Sequence, residues 1–338
     1  MAGKVFVSGG SGYIAGFLIR QLIAEGWTVH TSIRDLAKEG AVRASLAVDD
    51  SKLKFFAADL MGDAGWAEAM AGCSHVAHVA SPLPSNAPKS DDELIVPARD
   101  GALRALKAAK AAGVKRFVMT SSMAAIAYGH GGTKSVFTEA DWTNPASPDA
   151  YAYVKSKTIA ERAARDWVAA EGGDIEFVTV NPALVLGPLQ SGDFSTSLEA
   201  IKKLLEGSLP GLPNLGFGVV DVRDVADMHV RCLTMPGMAG ERFICSGPFL
   251  MMADVAAILR DGLGPQGRKV PTRKLPDWLM RLVGRFDPVV RQVLGELGKV
   301  RDTDISHART KLGWSPRPPE ESILDTARDM IRLGIVKV

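Results

Sequence analysis

The chain has 338 residues, of which 46% are hydrophobic and 23% are charged, a composition typical of a soluble globular protein that buries its core without disulfide bonds. The formal net charge of +2 excludes a bulk electrostatic attraction to nucleic acid or to an anionic membrane. No apolar run is long enough for a bilayer span or an export leader, and the three cysteines lack metal-ligand or disulfide spacing, so we expect a cytoplasmic protein with reduced thiols and no metal.

Strand and helix patterns alternate through the first 182 residues. Short apolar or β-branched runs predict strands at Lys4–Val7, Thr28–Ile33, Leu53–Ala57, His75–Ala80, Phe117–Ser121 and Phe177–Val180. Helical periods between them predict helices at Tyr13–Glu25, Leu36–Ala47, Trp66–Met70, Asp92–Ala112 and Ala152–Glu171. This alternation predicts an α/β fold with a doubly wound parallel sheet, which binds its ligands beyond the carboxyl ends of the strands.

The pattern changes after residue 182. Glycine and proline residues flank a predicted helix at Leu198–Glu206, and Val219–Val222 and Phe243–Ser246 look like strands that rejoin the sheet. We therefore assign residues 1–182 and 219–247 to the main domain, and residues 183–218 and 248–338 to a smaller lobe. Residues 268–317 hold twelve Lys and Arg against five Asp and Glu. A solvated basic face is the ordinary interpretation, and attraction for an anionic part of a substrate is the alternative.

A glycine-rich turn, Ser8-Gly-Gly-Ser-Gly-Tyr-Ile-Ala-Gly16, joins the first predicted strand to the first helix. Gly9, Gly12 and Ala15 have a Gly-x-x-Gly-x-x-Ala spacing, in which small residues let the backbone approach a pyrophosphate at the positive end of the helix. Glycines also form plain strand-to-helix turns, but the strand before and the helix after favour dinucleotide binding.

The end of the second predicted strand indicates which dinucleotide is bound. An acidic residue there accepts from the ribose of NAD, and an arginine accommodates the 2′-phosphate of NADP. The strand ends Ser32-Ile33-Arg34, with no carboxylate before Arg34 and with Lys38 one turn further on. Asp35 leaves an alternative open, because it can pair with Arg34 or reach a ribose hydroxyl. The pattern favours NADP(H) as the cofactor.

Polar residues also follow the third and fifth predicted strands. Asp59 stands where an adenine would lie and can accept from its exocyclic amine, but it can equally cap a helix. The fifth strand ends at Ser121-Ser122, where a hydroxyl can hold a substrate carbonyl.

The stretch Tyr153-Val-Lys-Ser-Lys157 carries the strongest catalytic pattern. Its tyrosine and lysine are four residues apart and share one helix face. An ammonium beside a phenol favours the phenolate, so the tyrosine can exchange a proton nearer neutral pH. With the glycine turn, this pattern predicts hydride transfer to or from a carbonyl.

Tyr151 and Lys155 have the same spacing, but a two-residue step turns a helix by about 200°, so only one pair can face a cofactor. The pattern only modestly favours Tyr153 and Lys157.

Four stretches together resemble the extended short-chain dehydrogenase/reductases, in the branch of dihydroflavonol 4-reductase, cinnamoyl-CoA reductase and related carbonyl reductases. They are the glycine turn, Phe117-Val-Met-Thr-Ser-Ser122, Tyr153-Val-Lys-Ser-Lys157-Thr-Ile-Ala-Glu161 and Asn181-Pro-Ala-Leu-Val-Leu-Gly-Pro188. The resemblance implies a Rossmann domain for NADP and a substrate-binding C-terminal lobe. It implies Ser122, Tyr153 and Lys157 as the catalytic set, which excludes Tyr151 as the acid. Many members pair through helices that flank the sheet, so a homodimer is plausible, and the sequence does not decide it.

The expected cofactor contacts follow from the turn, the strand ends and the resemblance. They are Gly9, Gly12, Tyr13, Ile14, Arg34, Lys38, Asp59, Leu60, Ala80, Ser81, Tyr153, Lys157, Pro182, Leu184 and Val185. Met123 and Phe194 are expected to line the substrate pocket, whose apolar character suits an aryl or alkyl ketone or aldehyde.

One departure from the family bears on the substrate. The flavonoid enzymes carry a polar substrate-reading residue five positions after the catalytic serine, where this chain has Ala127, so a flavonoid polyphenol is disfavoured. Three alternative functions stay open on the sequence. They are an NAD-dependent nucleotide-sugar epimerase or dehydratase, a 3β-hydroxysteroid dehydrogenase, and a non-catalytic NADP-binding sensor.

Overall fold

The computed structural model describes residues 3–82, 88–132, 134–191 and 198–337. Its strands are β1 Lys4–Val7, β2 Thr28–Ile33, β3 Leu53–Ala57, β4 His75–His78, β5 Arg116–Thr120, β6 Val136–Phe137, β7 Glu176–Pro182, β8 Leu184–Leu186, β9 Gly216–Asp221, β10 Arg242–Cys245, β11 Phe249–Met251 and β12 Asp302–Thr303. Its α-helices are α1 Tyr13–Ala24, α2 Glu39–Leu46, α3 Trp66–Met70, α4 Asp92–Ala111, α5 Ala152–Glu171, α6 Glu199–Glu206, α7 Val222–Thr234, α8 Met252–Leu263, α9 Asp277–Val283, α10 Pro288–Val293, α11 Ser306–Leu312 and α12 Pro319–Arg332.

Seven strands form the main sheet in the order β10-β7-β5-β4-β1-β2-β3, and every pair is parallel. The chain runs outward from β1 to β3 and then crosses back to place β4 on the other side of β1. Val5 accordingly pairs with Val29 of β2 and with His75 of β4. The predicted doubly wound parallel sheet is confirmed, and its topological switch point lies between β1 and β4, where such sheets bind ligands.

Apolar side chains cover both faces of this sheet because β-strand residues alternate in direction. Val5 and Val7 belong to a core with α1 and α7, to which Leu18 and Val225 contribute. Phe6, between them, belongs to a second core with α3, α4 and α5, to which Leu106 contributes. A strand buried on both sides reads as a continuous apolar run, which explains why the sequence showed no alternation there.

The return of the chain from the C-terminal lobe differs from the prediction. Phe243–Ser246 was expected to rejoin the main sheet and does so as β10, beside β7. The same prediction for Val219–Val222 is wrong, since β9 pairs with β8 and β11 in a separate three-stranded sheet. The helix α7 begins directly after β9, where the Asp221 carboxylate accepts from the Arg223 N–H at 2.8 Å and caps it.

The predicted helix Leu36–Ala47 is also interrupted. Leu36–Lys38 is a 3-10 turn, and α2 starts only at Glu39. Asp35 causes the tight turn, because its carboxylate accepts from the Ala37 N–H at 2.9 Å. Ala47 ends the helix in the left-handed conformation, with φ of 50°.

The smaller lobe has its own core, built from the second sheet and from α6, α8 and α12. Cys73, Cys232 and Cys245 are free and buried elsewhere in the chain. Within the described ranges, no helix has both the length and the apolar character that crossing a bilayer demands.

Candidate active site

The glycine turn after β1 lies directly against the end of β4. Gly9 has φ of +74°, and a Cβ on it would lie 3.0 Å from the Cβ of Ala80. A Cβ on Gly10 would lie 2.3 Å from Oγ1 of Thr31, on β2. Side chains at these positions would therefore displace neighbouring strands, and the glycines keep the turn close to the switch point.

Ser8 and His78 hold this turn in place. The Ser8 hydroxyl accepts from the N–H groups of Val79 and Ala80 at 3.0 Å each, and it lies 3.1 Å from Nδ1 of His78. Since its lone pairs serve the two N–H groups, the hydroxyl donates to Nδ1, and the ring is neutral with its proton on Nε2. Burial, helped by the nearby charge of Lys157, lowers the pKa of His78 to about 3. The neutral ring thus stays the acceptor near neutral pH.

The first turn of α1 fits a pyrophosphate. Its N-cap, Gly12, offers no side-chain cap, and no acidic residue stands in the first turn of this described helix. The free N–H groups and the helix dipole therefore favour an anion there. Tyr13 can contribute only its backbone N–H, because its hydroxyl is buried. Burial and then the charge of Asp221 raise the pKa of Tyr13 well above its ordinary value.

The end of β2 presents cations to solvent. Arg34 and Lys38 are exposed, and within the described ranges Arg34 has no ion pair. Asp35 caps the following turn with one carboxylate oxygen and makes no ion pair with Arg34 in the described ranges, and its contact with a ribose stays a prediction. The guanidinium of Arg34 is thereby available for a phosphate at the strand end.

The end of β3 is occupied by local structure. One carboxylate oxygen of Asp59 accepts from the Met61 N–H at 2.8 Å, and its carbonyl accepts from Nε1 of Trp66 at 3.1 Å. Asp59 therefore closes a local turn and does not cap α3, whose N-cap is Gly65, and its contact with an adenine stays a prediction. Leu60 packs against α4, where a Cβ on Gly101 would lie 2.9 Å from the Cβ of Leu60.

Ser122, Tyr153 and Lys157 come together at the end of β5. Tyr153 and Lys157 lie on one face of α5, with Nζ of Lys157 5.9 Å from the centroid of the Tyr153 ring. The Ser122 side chain lies close enough to the Tyr153 phenol to lower its pKa. Ser122 itself caps a 3-10 turn, its Oγ accepting from the Ala124 N–H at 3.1 Å. The predicted catalytic set thus forms one cluster of three polar groups, although its catalytic role stays a prediction.

The second Tyr-x-x-x-Lys pair points elsewhere. Nζ of Lys155 donates to the Asp91 carboxylate at 2.7 Å, beside the start of α4. The ring of Tyr151 packs edge-on against that of Tyr128, with 6.0 Å between centroids, and it stacks on that of Tyr153 at 6.4 Å between centroids. These contacts separate the phenol of Tyr151 from the ammonium of Lys155.

Burial sets the electrostatics of the cluster. Lys157 is only 7% exposed. Desolvation lowers the pKa of its ammonium to about 8, against an opposing effect of the Glu161 carboxylate. Burial also raises the pKa of Tyr153, and the Ser122 side chain only partly opposes that rise, so the net lowering expected from the ammonium of Lys157 is wrong here. A lysine near its pKa beside a protonated phenol is suited to proton exchange close to neutral pH.

Sequence reasoning missed Glu161, one turn after Lys157. Glu161 ends the Lys157-Thr-Ile-Ala-Glu161 motif, from which no role was predicted for it. Its side chain is fully buried and accepts from Nε of Arg242 at 2.7 Å. The signal in the sequence was a carboxylate four residues after the lysine, on the same helix face.

The remaining predicted contacts that the structure describes lie near the same sheet edge. Ala80 and Ser81 follow β4 and are half-buried, as are Ile14 and Leu184, whereas Pro182 and Val185 are buried. Met123 is half-buried and packs on the main core. Phe194 lies outside the described residues.

The wall beyond Ser122 is closed by the smaller lobe. Ala127 is 3% exposed, and its carbonyl accepts from Nε of Arg301 at 2.8 Å. Several cations of the basic segment are ion-paired to carboxylates, as Lys299 is to Asp149 at 2.9 Å and Arg317 to Asp224 at 2.9 Å. Part of the basic segment therefore fastens the lobe to the main domain.

The chain is similar to known proteins over the region that contains this site. The sequence profile of the NAD dependent epimerase/dehydratase family matches residues 5–245. Cinnamoyl-CoA reductase CAD2 of Medicago truncatula is 40% identical over 264 residues, covering 76% of this chain and 80% of that protein. Dihydroflavonol 4-reductase of Zea mays is 31% identical over 268 residues, covering 77% and 74%.

Two solved structures superpose on nearly the whole chain. The yeast methylglyoxal/isovaleraldehyde reductase Gre2 complexed with NADPH gives a TM-score of 0.83 at 26% identity, covering 98% of this chain and 99% of Gre2. Vestitone reductase from alfalfa (Medicago sativa) gives a TM-score of 0.77 at 26% identity, covering 99% and 100%. The matched region of all four proteins includes the domain that holds Ser122, Tyr153 and Lys157.

Proposed function

The chain belongs to the NAD dependent epimerase/dehydratase family, in the dihydroflavonol-reductase, cinnamoyl-CoA-reductase and Gre2 branch of the extended short-chain dehydrogenase/reductases, and on this premise we propose that it reduces a ketone or aldehyde to an alcohol with NADPH. The chain is an NAD(P)-dependent carbonyl reductase of this type. The preference for NADPH and the class of substrate are our proposals. The chemistry falls to Ser122, Tyr153 and Lys157.

The observation that carries the proposal is the cluster of a half-buried hydroxyl, a half-buried phenol and a buried ammonium at the end of β5. The Tyr153 phenol lies beside the side chain of Ser122 and the ammonium of Lys157. The cluster stands at the same sheet edge as the glycine turn, two strands from it in the sheet. Two hydroxyl donors together can hold one carbonyl oxygen and stabilise the charge that develops on it.

The chain's residues have separable parts in the reaction. Ser122 and Tyr153 bind the carbonyl oxygen and orient the substrate. NADPH, when bound, supplies the hydride. Tyr153 gives its hydroxyl proton to the alkoxide oxygen, and the charge of Lys157 stabilises the phenolate that remains. The first-turn N–H groups of α1 would hold the pyrophosphate.

The preference for NADPH rests on the exposed end of β2. Arg34 is available for a 2′-phosphate, and Asp35 is engaged in its own turn. Gre2, whose structure contains NADPH, supports this choice. A nucleotide-sugar epimerase with tightly held NAD is the alternative, and Arg34 argues against it because such enzymes resemble this chain but usually place an acid at that strand end.

The proposed substrate class is inferred from the smaller lobe and from the residues expected at the pocket. Residues 183–218 and 248–338 are proposed to close over a small apolar carbonyl compound, with Met123 and Phe194 at the pocket. Dihydroflavonols are disfavoured, because Ala127 is buried and apolar. A homodimer also stays a prediction.

A spectrophotometric screen tests the proposal. Purified protein is mixed with NADPH or NADH and with aryl aldehydes, diketones and ketoesters, and oxidation is followed at the nicotinamide absorbance. We expect NADPH consumption with several of these substrates and little with NADH. Copurifying NAD without NADPH consumption would support the epimerase, and tight NADPH binding without turnover on any substrate would support the sensor.

A further inference from the structure

We propose that Glu161 is a positioning residue for the carbonyl reduction proposed above: it ties the Ser122 turn to the helix that carries Tyr153 and supplies the negative charge that keeps Lys157 protonated. The inference rests on the proposed function for its kinetic meaning. The contacts that support it are independent of substrate and cofactor.

Glu161 is the centre of a buried network. Its side chain is 0% exposed, yet five side chains, from α5, β7, β10 and the residue after β5, donate to its two oxygens. Oε1 accepts from Arg242 at 2.7 Å, from Thr179 at 3.2 Å and from Arg165 at 3.3 Å, and Oε2 accepts from Ser121 at 2.5 Å and from Asn181 at 2.8 Å. Such a buried carboxylate stays ionised because donors and cations replace its water. The pKa of Glu161 is accordingly lowered, with the Arg242 guanidinium as the main opponent of burial.

Two of these donors also hold the turn that carries Ser122. The side-chain amide of Asn181 donates to the Ser122 carbonyl at 3.2 Å as well as to Glu161. Nη2 of Arg242 donates to the Ala125 carbonyl at 3.1 Å. Because Glu161 lies on α5, the network joins this turn to the helix of Tyr153. The distance between the two hydroxyls therefore depends on groups that contact neither of them.

The charge of Glu161 acts on Lys157 from one helical turn away. The other groups near this ammonium are the Tyr153 phenol, the neutral His78 of β4 and, beyond the carboxylate, Arg242 and Arg165. Burial lowers the pKa of Lys157 to about 8, and the Glu161 carboxylate opposes that decrease. Removing this carboxylate therefore makes the proton of Lys157 easier to lose.

The effect of the Glu161 charge on Lys157 is tested by comparing the Glu161→Gln variant with Glu171→Gln as its control. Glu171 is an exposed carboxylate on the same helix, about 20 Å along it from Lys157 at 1.5 Å per residue. With a substrate found in the screen, we expect the alkaline limb of kcat to move to lower pH by about one unit in Glu161→Gln and to stay in place in Glu171→Gln. The titration of Lys157 is also followed directly, by NMR of protein labelled with 13C at the lysine ε-carbon. The Lys157 signal is identified by its absence from Lys157→Arg.

The positioning role is tested with Asn181→Leu against Thr179→Val. Both changes remove one donor from Glu161, but only Asn181 also holds the Ser122 carbonyl. We expect kcat to fall about tenfold or more in Asn181→Leu, because reacting groups are displaced, and to stay near wild type in Thr179→Val. Affinity for NADPH, measured by fluorescence, should be retained in both.

The outcomes separate the two proposals. If wild-type protein consumes no NADPH, the proposed function is wrong. If Lys157 nevertheless titrates at lower pH in Glu161→Gln than in wild type, the electrostatic inference still holds. A Lys157 titration equal in wild type and Glu161→Gln overturns the inference, whatever the activity. Should Glu161→Gln fail to fold, the second pair decides: equal kcat in Asn181→Leu and Thr179→Val would count against positioning, and a selective loss would support it.

Discussion

The ammonium of Lys157 lies 5.9 Å from the centroid of the Tyr153 ring, whereas the ammonium of Lys155, two residues earlier, donates to Asp91 at 2.7 Å. The two lysines therefore serve different parts of the protein. Lys157 is buried in the cluster with Ser122, and Lys155 stabilises the start of a neighbouring helix from a partly exposed position. This division explains how one helix can carry two identical spacings and only one proposed catalytic pair.

Replacing Tyr153 with Phe removes the proposed proton donor without changing the shape of the ring. General acid catalysis typically contributes about 10² to 10⁴ in rate, so we expect kcat to fall by that factor while NADPH still binds. Tyr151→Phe is the matched control and should retain most of the turnover, because its ring packs against Tyr128 and the lysine at its i+4 position is paired with Asp91. Steady-state kinetics and fluorescence titration check both variants, and a Tyr153→Phe enzyme with more than about a tenth of wild-type turnover would refute the assignment.

Replacing Lys157 with Met should abolish turnover and yet stabilise the fold near neutral pH. Burial lowers the pKa of Lys157 to about 8 from 10.5. Holding the charge buried then costs on the order of 3 kcal/mol below pH 8. The unfolded chain binds more protons than the folded one between the two pKa values, so wild-type stability rises with pH across that window and the advantage of Lys157→Met disappears there.

Urea unfolding at pH 7 and at pH 10 measures this effect. Lys155→Met is the control, because its ion pair with Asp91 is partly exposed and should contribute no more than about 1 kcal/mol. A Lys157→Met variant that is less stable than wild type at pH 7 would show that the cation is not strained by burial.

Replacing Arg34 with Ala should weaken NADPH binding and spare NADH. A charge-assisted contact with the 2′-phosphate contributes about 1.5 to 3 kcal/mol, so we expect the Kd for NADPH to rise about 10- to 100-fold. Arg20→Ala removes an exposed arginine from α1 and serves as the control. Equal losses for the two dinucleotides would indicate that Arg34 does not read the phosphate.

Gly10 and Gly40 should respond to alanine in opposite directions. A Cβ on Gly10 would lie 2.3 Å from Oγ1 of Thr31, a buried hydroxyl that donates to the Val7 carbonyl at 2.8 Å. We expect Gly10→Ala to destabilise the fold by about 1–3 kcal/mol and to weaken NADPH binding. Gly40 lies inside α2 with nothing within 4 Å of its Cβ position, so Gly40→Ala should stabilise by about 0.5–1 kcal/mol. Thermal unfolding of both variants, with and without NADPH, gives the comparison.

Local pattern predicted the elements well where one helix or strand determines them. The strand Lys4–Val7 and the helix carrying Tyr153 have the predicted bounds. The failures came where a partner is distant in sequence. Val219–Val222 reads as an apolar strand in either sheet, and only the presence of β8 beside it decides the pairing. Asp35 and Asp59 each close a turn of their own chain, which depends on local backbone geometry, and their contacts with a cofactor stay predictions.

The sequence by itself determined the doubly wound sheet, the glycine turn and the face shared by Tyr153 and Lys157, because helix and strand periods and residue spacing are local properties of a chain. The tertiary structure decided which lysine meets the reacting cluster, and it made Glu161 a buried junction with Arg242 and Asn181. Those pairings join residues up to 81 positions apart. They depend on the order of strands in the sheet, which brings β5, β7 and β10 side by side and which no local pattern specifies.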